Sequence, residues 1–424
     1  MNDKQQTNQV NRRSFIGHAA MGAAAFTALS ASRVYGANER LAVGVIGAGG
    51  RGNSHMRAIH DLKDECKVDL IAVCDTYRPR LNAAAERYEI PKRYMNHKEL
   101  LADAEVDVVS IATPDHVHGY QAIDAVLAGK DVYCEKPVTH WRQFELTKRL
   151  ALEVQKTKRV FQLGTQGMSD GAWALMKKLV RDGLIGQPIH AECGYFRVGD
   201  WGERGMPIDD LNAQPGPDLD WDAFLGDSPQ RPFDVSRYFR WRMYADYAGG
   251  PSTDLFPHVF TPVLSILGVS MPSTVVATGG KFRYQEREIP DTFNMLIDYP
   301  ENITVAILGT QGNDYQGCGG TRGSAGRIPI VRGWDGTVTV IGNDVVFYPA
   351  QESNKEGQTF PIPAGEDWYG YWKNFFQCVR DANPETLSPA YLAYWVQTVF
   401  HMAMLGHREG KVAKFDSARD AIVL

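Results

Sequence analysis

Three residues that could do chemistry, Glu135, Lys136 and Pro137, follow one another directly after an apolar stretch of the sequence. The end of a buried strand requires neither the two charges nor the proline ring. An ammonium group at such a position can stabilise negative charge that develops during a reaction. The triplet therefore indicates a reaction centre at the end of a strand.

Asp254 and His258 form a second candidate, because an imidazole titrates near neutral pH and suits a general base. Residues four apart on a helix share a face, which would bring the two side chains together. Pro257 qualifies this argument, since it could mark the first helical position and leave Asp254 in the preceding turn. A histidine packed in the core is the structural alternative.

The glycine-rich segment at residues 47–52 has the pattern G-x-G-x-x-G and lies between an apolar run and a helical pattern. In this pattern Gly47 permits a tight turn, Gly49 lets the backbone approach a pyrophosphate, and Gly52 allows close helix–strand packing. The N-terminus of the following helix would face the phosphates with its free N–H groups. The segment predicts a dinucleotide site, with a glycine turn without a ligand as the alternative. Its predicted cofactor-binding residues are Gly47, Gly49, Gly50, Arg51 and Gly52.

Asp75 ends the second apolar run about twenty residues later, where the dinucleotide fingerprint places an acidic residue. Its carboxylate would accept hydrogen bonds from ribose hydroxyls and repel a 2′-phosphate, so the sequence favours NAD over NADP. Arg78 and Arg80 lie nearby and keep NADP as the alternative. Arg78 is counted among the predicted cofactor-binding residues.

Two different patterns of predicted secondary structure position these residues. Up to residue 166, apolar runs alternate with helical patterns, which indicates parallel strands joined by crossover helices. After residue 167 the predicted strands are spaced as in an antiparallel sheet, and two amphipathic helices follow that we expect to pack between the domains. The sequence thus predicts an α/β domain over residues 37–166 and an α+β domain over residues 167–424.

The run IATPDHVHGYQAIDAVLAGKDVYCEKPVTH, residues 111–140, resembles the glucose–fructose oxidoreductase, inositol dehydrogenase and MocA family. The matching elements are Thr113-Pro114, His118, Gly129-Lys130 and Glu135-Lys136-Pro137. The resemblance covers most of the chain, strongly in the first domain and loosely afterwards. It implies an N-terminal Rossmann dinucleotide-binding domain and a C-terminal domain with a large open, mainly antiparallel sheet. The family often uses that sheet as an oligomer interface, so a homo-oligomer is expected.

The resemblance also implies roles for individual residues. Lys136 would touch both the cofactor and the reacting hydroxyl, and Glu135 would orient the cofactor side. His258 would take the hydroxyl proton as hydride leaves, and Asp254 would orient it or bind the sugar. Thr261 stands where the family usually has a further aspartate. Further cofactor-binding residues are expected at Thr113, Pro114, His116, His118 and Gln166.

His116 and His118 lie two residues apart and could suggest a metal pair. No matching cluster of cysteine, histidine or carboxylate side chains lies near them in the sequence, whereas zinc sites usually need three or four ligands. We therefore expect the two histidines to line the nicotinamide pocket or cap the following helix, and we expect no metal.

The segment between Gly199 and Gly250 is rich in aromatic residues and arginines. Aromatic faces beside fixed polar donors suit sugar binding, although a packed insertion or a subunit contact would use the same residues. The predicted substrate-binding residues are Tyr238, Arg240, Trp241, Asp254 and His258.

Composition limits the classes of partner. The formal net charge is −5 and no basic block stands out beyond the N-terminus, which argues against nucleic acid. No internal apolar run reaches the roughly eighteen residues that a membrane span needs. The six cysteines form no C-x-x-C pair or zinc-like cluster.

Residues 1–36 resemble a twin-arginine export signal, with Arg12 and Arg13 before an alanine-rich apolar run. An uncleaved anchor or a disordered tail is the alternative. Export would place the protein in the periplasm or otherwise outside the cytoplasm, where there is no free NAD pool. A retained cofactor would then have to be reduced and reoxidised on the same molecule.

Taken together, these patterns predict an NAD-dependent oxidoreductase that transfers hydride from a secondary hydroxyl of a sugar or polyol. One alternative is a glycoside-cleaving enzyme that oxidises a ring hydroxyl transiently; the related glycosidases typically lack the lysine that is present here as Lys136. A second alternative is a non-catalytic sugar-binding protein on the same fold. The presence of Lys136, Asp254 and His258 together argues against the latter.

Overall fold

The computed structural model describes residues 40–317 and 320–424. Its first sheet has six strands in the order β3-β2-β1-β4-β5-β6, and every neighbouring pair is parallel. Valine and isoleucine fill its central strands because both faces of the sheet are covered. The strands are β1 Leu41–Ile46, β2 Val68–Cys74, β3 Lys92–Tyr94, β4 Val108–Ile111, β5 Asp131–Glu135 and β6 Phe161–Gly164.

Helices connect these parallel strands, as the alternating pattern predicts. The strand order is that of the doubly wound dinucleotide-binding fold, in which ligands bind beyond the carboxyl ends of the strands. The glycine segment and the Glu135–Pro137 triplet both follow such strand ends. The helices are α1 Gly50–Asp61, α2 Arg78–Arg87, α3 His97–Ala102, α4 Asp115–Leu127 and α5 Phe144–Thr157.

The second sheet contains eleven strands and is mainly antiparallel, with one parallel pair between β7 and β10. The order is β15-β14-β13-β12-β7-β10-β9-β8-β16-β17, and β11 pairs with β7 off this path. The fold class predicted from the sequence is therefore confirmed. The strands are β7 Pro188–Val198, β8 Thr274–Gly280, β9 Thr292–Tyr299, β10 Ile303–Thr310, β11 Gly312–Asn313, β12 Arg327–Gly333, β13 Gly336–Ile341, β14 Asp344–Pro349, β15 Gln358–Pro361, β16 Ala413–Asp416 and β17 Ala421–Val423.

Helices cover one face of the second sheet and form its core with the inward-facing strand residues. Short helices in the segment between β7 and β8 bring the second candidate site to the first domain. The helices of this part of the chain are α6 Gly171–Arg181, α7 Trp221–Leu225, α8 Val235–Phe239, α9 Pro251–Asp254, α10 Phe256–Leu267, α11 Trp368–Arg380 and α12 Ala390–Glu409.

The last two helices tie the domains together. In α11, Trp372 stacks on Tyr133 of the first sheet with 4.0 Å between ring centroids. The backbone N–H of Leu163 in β6 donates to the carbonyl of Ser388 at 2.9 Å, just before α12. Helix α12 contributes residues to the cores of both domains.

The N-terminal signal predicted at residues 1–36 lies outside the described residues, as does Cys318. The five described cysteines are free, and four of them are buried. Within residues 40–317 and 320–424, no helix is both long and apolar enough to cross a membrane.

Candidate active site

The glycine segment forms an open cradle between β1 and α1. Gly47 has a φ of +98°, and a Cβ there would lie 2.6 Å from the carbonyl oxygen of Ala112. A Cβ on Gly52 would lie 1.7 Å from the carbonyl oxygen of Gly47, so the helix can pack this closely only with glycine. A Cβ on Gly50 would meet nothing within 4 Å, and no side chain caps α1. The cradle therefore fits a pyrophosphate bound by free N–H groups.

Asp75 anchors this cradle. Its carboxylate accepts hydrogen bonds from the backbone N–H groups of Ala48 at 2.7 Å and Tyr77 at 2.8 Å. Burial raises the pKa of Asp75, and the positive charge of Arg80 opposes that rise. A carboxylate has about four acceptor sites, so two remain for ribose hydroxyls. The geometry fits the predicted role of Asp75.

The two nearby arginines differ in position. Arg78 donates to the carboxylate of Asp218 at 2.8 Å and to the carbonyl of Pro217, with its side chain nearly half exposed. Arg80 instead lies against the cradle, with a terminal nitrogen 3.6 Å from where a Cβ on Gly49 would be. Of the two, Arg80 is therefore the one placed beside the predicted pyrophosphate site.

Glu135 and Arg51 form the floor of the site. The Nε of Arg51 donates to Oε1 of Glu135 at 2.7 Å, and its terminal nitrogen reaches Gln166 at 3.3 Å. His55 also bonds to Glu135 at 3.0 Å and to Ser110 at 2.8 Å. Burial alone would raise the pKa of Glu135, but Arg51 and His55 hold it below its usual range. Sequence reasoning missed His55, which follows the glycine pattern but belongs to no motif.

His118 joins two strand ends. One ring nitrogen lies 2.7 Å from the carbonyl oxygen of Pro137 and the other 2.7 Å from that of Thr113. The Lys136–Pro137 peptide bond is cis. Pro114 directly precedes α4, and the Thr113 hydroxyl bonds to a glutamine of that helix. His118 therefore contacts the backbone at both strand ends and helps to fix the shape of the site.

His116 points to the second domain. Its Nε2 lies 2.6 Å from the carbonyl oxygen of Phe224, and its ring packs on Phe224 and Tyr247. Burial lowers its pKa to about 4, so the ring is neutral at physiological pH. No group of three or more potential metal ligands occurs among the described residues. The structure therefore places His116 at a contact between the domains.

Lys136 and Asp254 form a buried ion pair at the end of β5. The Lys136 ammonium donates to the side-chain oxygen of Asp254 at 2.8 Å and to its backbone carbonyl at 2.7 Å. Arg242 lies 3.3 Å from the same carboxylate oxygen. Burial would raise the pKa of Asp254, but the charges of Lys136 and Arg242 hold it far below its usual range. The carboxylate is therefore ionised and fixes the lysine in place.

His258 lies one helix later. Asp254 is the last residue of α9, and Pro257 is the second residue of α10, so a break at Leu255 separates the pair. The Nδ1 atom of His258 is buried and has no hydrogen-bond partner among the described residues. Burial and the nearby Lys136 charge lower its pKa to about 3. The ring is therefore neutral and has a free nitrogen, as a proton acceptor requires.

Asp115 is a further acidic residue at this site that sequence reasoning missed. It begins α4 and is almost fully buried. Burial raises its pKa to about 8; the charge of Arg242 opposes this rise and the charge of Asp254 adds to it. It is therefore protonated at neutral pH. Its position directly before His116 was visible in the sequence, but its proximity to Arg242 was not.

The predicted substrate-binding residues in the aromatic segment differ in how exposed their side chains are. Tyr238 is buried in a cluster of aromatic rings, and its hydroxyl bonds to Thr76 at 2.8 Å. Trp241 is also mostly buried, and the Arg242 guanidinium lies 4.3 Å from its ring centroid. Both thus favour the alternative of a packed insertion over direct sugar contact. Arg240 remains partly accessible and donates to the carbonyl of Met206 at 2.8 Å.

A doubly wound parallel sheet with a glycine cradle, joined to a second, mainly antiparallel sheet, defines a two-domain dinucleotide-binding protein. Residues 41–165 match the family model "Oxidoreductase family, NAD-binding Rossmann fold", and residues 171–424 match "Oxidoreductase family, C-terminal alpha/beta domain". The chain belongs to this family, that of glucose–fructose oxidoreductase, inositol dehydrogenase and MocA. The resemblance inferred from the sequence and the predicted NAD-binding domain are confirmed.

Curated relatives match over part of the chain. Inositol 2-dehydrogenase of Salmonella typhimurium is 31% identical over 150 residues, 35% of this chain and 44% of that protein. Levoglucosan dehydrogenase of Pseudarthrobacter phenanthrenivorans is 29% identical over 213 residues, 47% of this chain and 51% of that protein. Alpha-N-acetylgalactosaminidase of Shewanella oneidensis is 29% identical over 177 residues, 38% of this chain and 36% of that protein. The chain thus spans about half or less of the length of these relatives.

Solved structures match over nearly the whole chain. Levoglucosan dehydrogenase in complex with NADH and L-sorbose superposes with a TM-score of 0.67 at 18% identity, covering 90% of this chain and 100% of that one. The WlbA dehydrogenase of Bordetella pertussis, in complex with NADH and UDP-GlcNAcA, gives 0.64 at 19% identity, covering 89% and 99%. At these identities the likeness establishes the fold.

Proposed function

We propose that this protein is an NAD-dependent oxidoreductase that takes hydride from a secondary hydroxyl carbon of a sugar or polyol. The observation that carries the proposal is the Lys136–Asp254 ion pair beside a neutral His258, at the carboxyl end of a strand in an NAD-binding domain. The names of the relatives, inositol 2-dehydrogenase and levoglucosan dehydrogenase, support this substrate class.

When bound, NAD supplies the hydride acceptor; the Gly47–Gly52 cradle and Asp75 would hold it. The residues of this chain would bind the substrate oxygen and accept its proton. An ammonium has three N–H donors, and Asp254 takes two of those of Lys136, which leaves one for a substrate oxygen. That N–H would stabilise the developing alkoxide, and His258 would accept the proton. Because the pKa of His258 is low, proton transfer to it would be favourable only as hydride departs.

A glycoside-cleaving enzyme is the second candidate. The observation that favours it is the similarity to an alpha-N-acetylgalactosaminidase over 177 residues. Oxidation of a ring hydroxyl acidifies the neighbouring C–H bond and permits elimination of a glycosidic substituent. The same Lys136 centre could begin either reaction, so the two differ in whether a glycosidic bond breaks.

We further propose that the protein is exported by the twin-arginine route and carries its cofactor with it. The support is the Arg12-Arg13 pair before an alanine-rich run. A homo-oligomer is proposed from the family's common use of its open sheet. Native mass spectrometry of protein purified from the periplasm would report cofactor and oligomer together. Cytoplasmic, fully apo protein that binds NAD weakly would contradict the export proposal.

The proposed reaction is tested by adding a panel of sugars and polyols to the holoenzyme and following the NADH absorbance. We expect reduction of the bound cofactor by at least one sugar without bond cleavage. Release of an aglycone without net reduction would favour the glycosidase candidate. A spectrum that no sugar changes, together with no released aglycone, would exclude both and leave the non-catalytic alternative.

A further inference from the structure

The loop that follows β7 exposes an aromatic side chain and buries an acidic one, which is the reverse of the usual arrangement. Trp201 exposes 66% of its surface, whereas Glu203, two residues later, exposes 1%. Tryptophan is normally largely buried and glutamate almost never fully so, which makes this reversal informative. A loop folds in this way when the buried acid has buried partners and the indole is left exposed to solvent.

Buried partners hold the acid. Glu203 accepts from Arg197 at 3.1 Å and from the amide of Gln311 at 2.6 Å. Arg287, whose side chain is fully buried, donates to Asp200 of the same loop at 2.9 Å. Breaking a buried ion pair of this kind is costly, so the loop has a well-defined conformation.

The loop presents one face of the indole. The guanidinium of Arg197 lies 4.5 Å from the Trp201 ring centroid and covers the ring on one side. A Cβ on Gly205 would lie 2.5 Å from the Cα of Trp201, so the backbone wraps tightly around this residue. The indole is thus a fixed platform with a free face.

The platform lines a cleft of about 450 Å³. The cleft is open to solvent, so a ligand bound there would keep one side exposed. An aromatic face can pack on the C–H bonds of a sugar ring, while carboxylate and guanidinium groups bond to its hydroxyls. The lining residues are Asp200, Trp201, Arg204, Gly205, Arg240 and Tyr284.

The cleft adjoins the catalytic centre. Arg240 lines the cleft, and Arg242, two residues later, lies 3.3 Å from the carboxylate of Asp254. Burial would raise the pKa of Asp254, and the Arg197 guanidinium, which covers the Trp201 ring, is among the charges close enough to lower it. Because Asp254 is bonded to Lys136, a ligand in the cleft would lie close to a sugar held at the lysine.

We propose that this cleft is a second sugar subsite, so that the substrates are glycosides or oligosaccharides oxidised on the unit next to Lys136. The proposal rests on the proposed function, since it assumes that a sugar is oxidised there. It explains why the loop keeps a tryptophan in solvent beside the catalytic centre.

The test compares kcat/KM of the holoenzyme for disaccharides and their monosaccharides, cellobiose against glucose and lactose against galactose. The wild type should prefer the disaccharide of at least one pair. Trp201→Ala should lower that preference about fivefold, which corresponds to the roughly 1 kcal/mol that an aromatic contact contributes. Trp201→Phe, which keeps a ring, should lower it less.

Trp334→Ala is the matched control, because Trp334 is 71% exposed but lies between β12 and β13 and does not line the cleft. It should leave the preference unchanged. Monosaccharide oxidation with a preference that Trp201→Ala does not alter would overturn the subsite alone. A change in oligomer mass in Trp201→Ala, with the preference intact, would overturn it in favour of a subunit contact. A wild type that oxidises no sugar would overturn the proposed function itself.

Discussion

Replacing Lys136 by methionine separates its electrostatic role from its bulk. The variant keeps a side chain of similar length but leaves the buried carboxylate of Asp254 with Arg242, at 3.3 Å, as its remaining ion-pair partner among the described residues. Removing one partner of a buried ion pair typically costs about 3–5 kcal/mol. Since Arg242 retains part of the attraction, we expect a loss of about 3 kcal/mol in the free energy of unfolding at pH 7.

This loss should depend on pH. In the wild type the lowered pKa of Asp254 contributes stability that is present above its unfolded pKa of about 3.9 and is lost as the pH falls through the folded pKa. In Lys136→Met the pKa of Asp254 rises, so this contribution is absent. The stability difference between the two proteins should therefore be fully present at pH 7 and shrink only as the pH falls below about 4.

Urea unfolding at pH 7 and at about pH 3 measures this difference, and cofactor reduction measures turnover. Loss of the alkoxide-stabilising charge should lower kcat about a hundredfold to a thousandfold. The double variant Lys136→Met/Asp254→Asn also removes the carboxylate that has lost its lysine, so it should regain part of the stability without regaining turnover. Recovery of turnover together with stability would refute the catalytic role of Lys136. A single variant as stable as the wild type at pH 7 would refute the ion-pair argument.

Three further predictions follow from the site. Asp75→Ala removes the acceptor for the ribose and should weaken NAD binding and relax rejection of NADP, measured by calorimetry; equal affinities in the unmodified protein would contradict the assignment. His258→Ala should lower kcat about a hundredfold to ten-thousandfold with NAD binding intact, and a near wild-type rate would place the base elsewhere. Burial raises the pKa of Asp115 to about 8, so the folded protein keeps this proton over a pH range in which the unfolded chain releases it. The wild type should therefore lose stability progressively as the pH rises from about 4 to 8. Asp115→Asn should lack this slope in urea unfolding, and identical slopes would show that Asp115 ionises freely.

The parts of the site that depend on local sequence could be predicted. Gly47 and Gly52 are required by close backbone contacts within one strand–turn–helix unit, and that requirement is visible in the spacing. Pro257 correctly signalled that a single helix would not join Asp254 to His258, since the break at Leu255 lies just before it.

The parts of the site that depend on long-range packing could not be predicted from the sequence. Arg242 and Asp115 act on Asp254 only because the segment between β7 and β8 folds back onto the first domain, which no spacing encodes. The aromatic residues of that segment share one composition, yet Tyr238 is buried and Trp201 is exposed. Exposure follows from which side of the segment meets the aromatic cluster, so composition alone left sugar contact and packing as equal alternatives.

The return of α11 to the first sheet makes the second part of the chain an insertion rather than an appendage. The aromatic face of Tyr133 is covered by a residue more than two hundred positions later, and Ser388 completes a hydrogen bond at β6. A fragment ending after β6 would therefore expose that face and should not fold alone. Heating should unfold both cores in one transition, because α12 belongs to each. Exchanging substrate specificity between relatives would thus mean transplanting a middle segment while leaving both α11 and the first sheet in place.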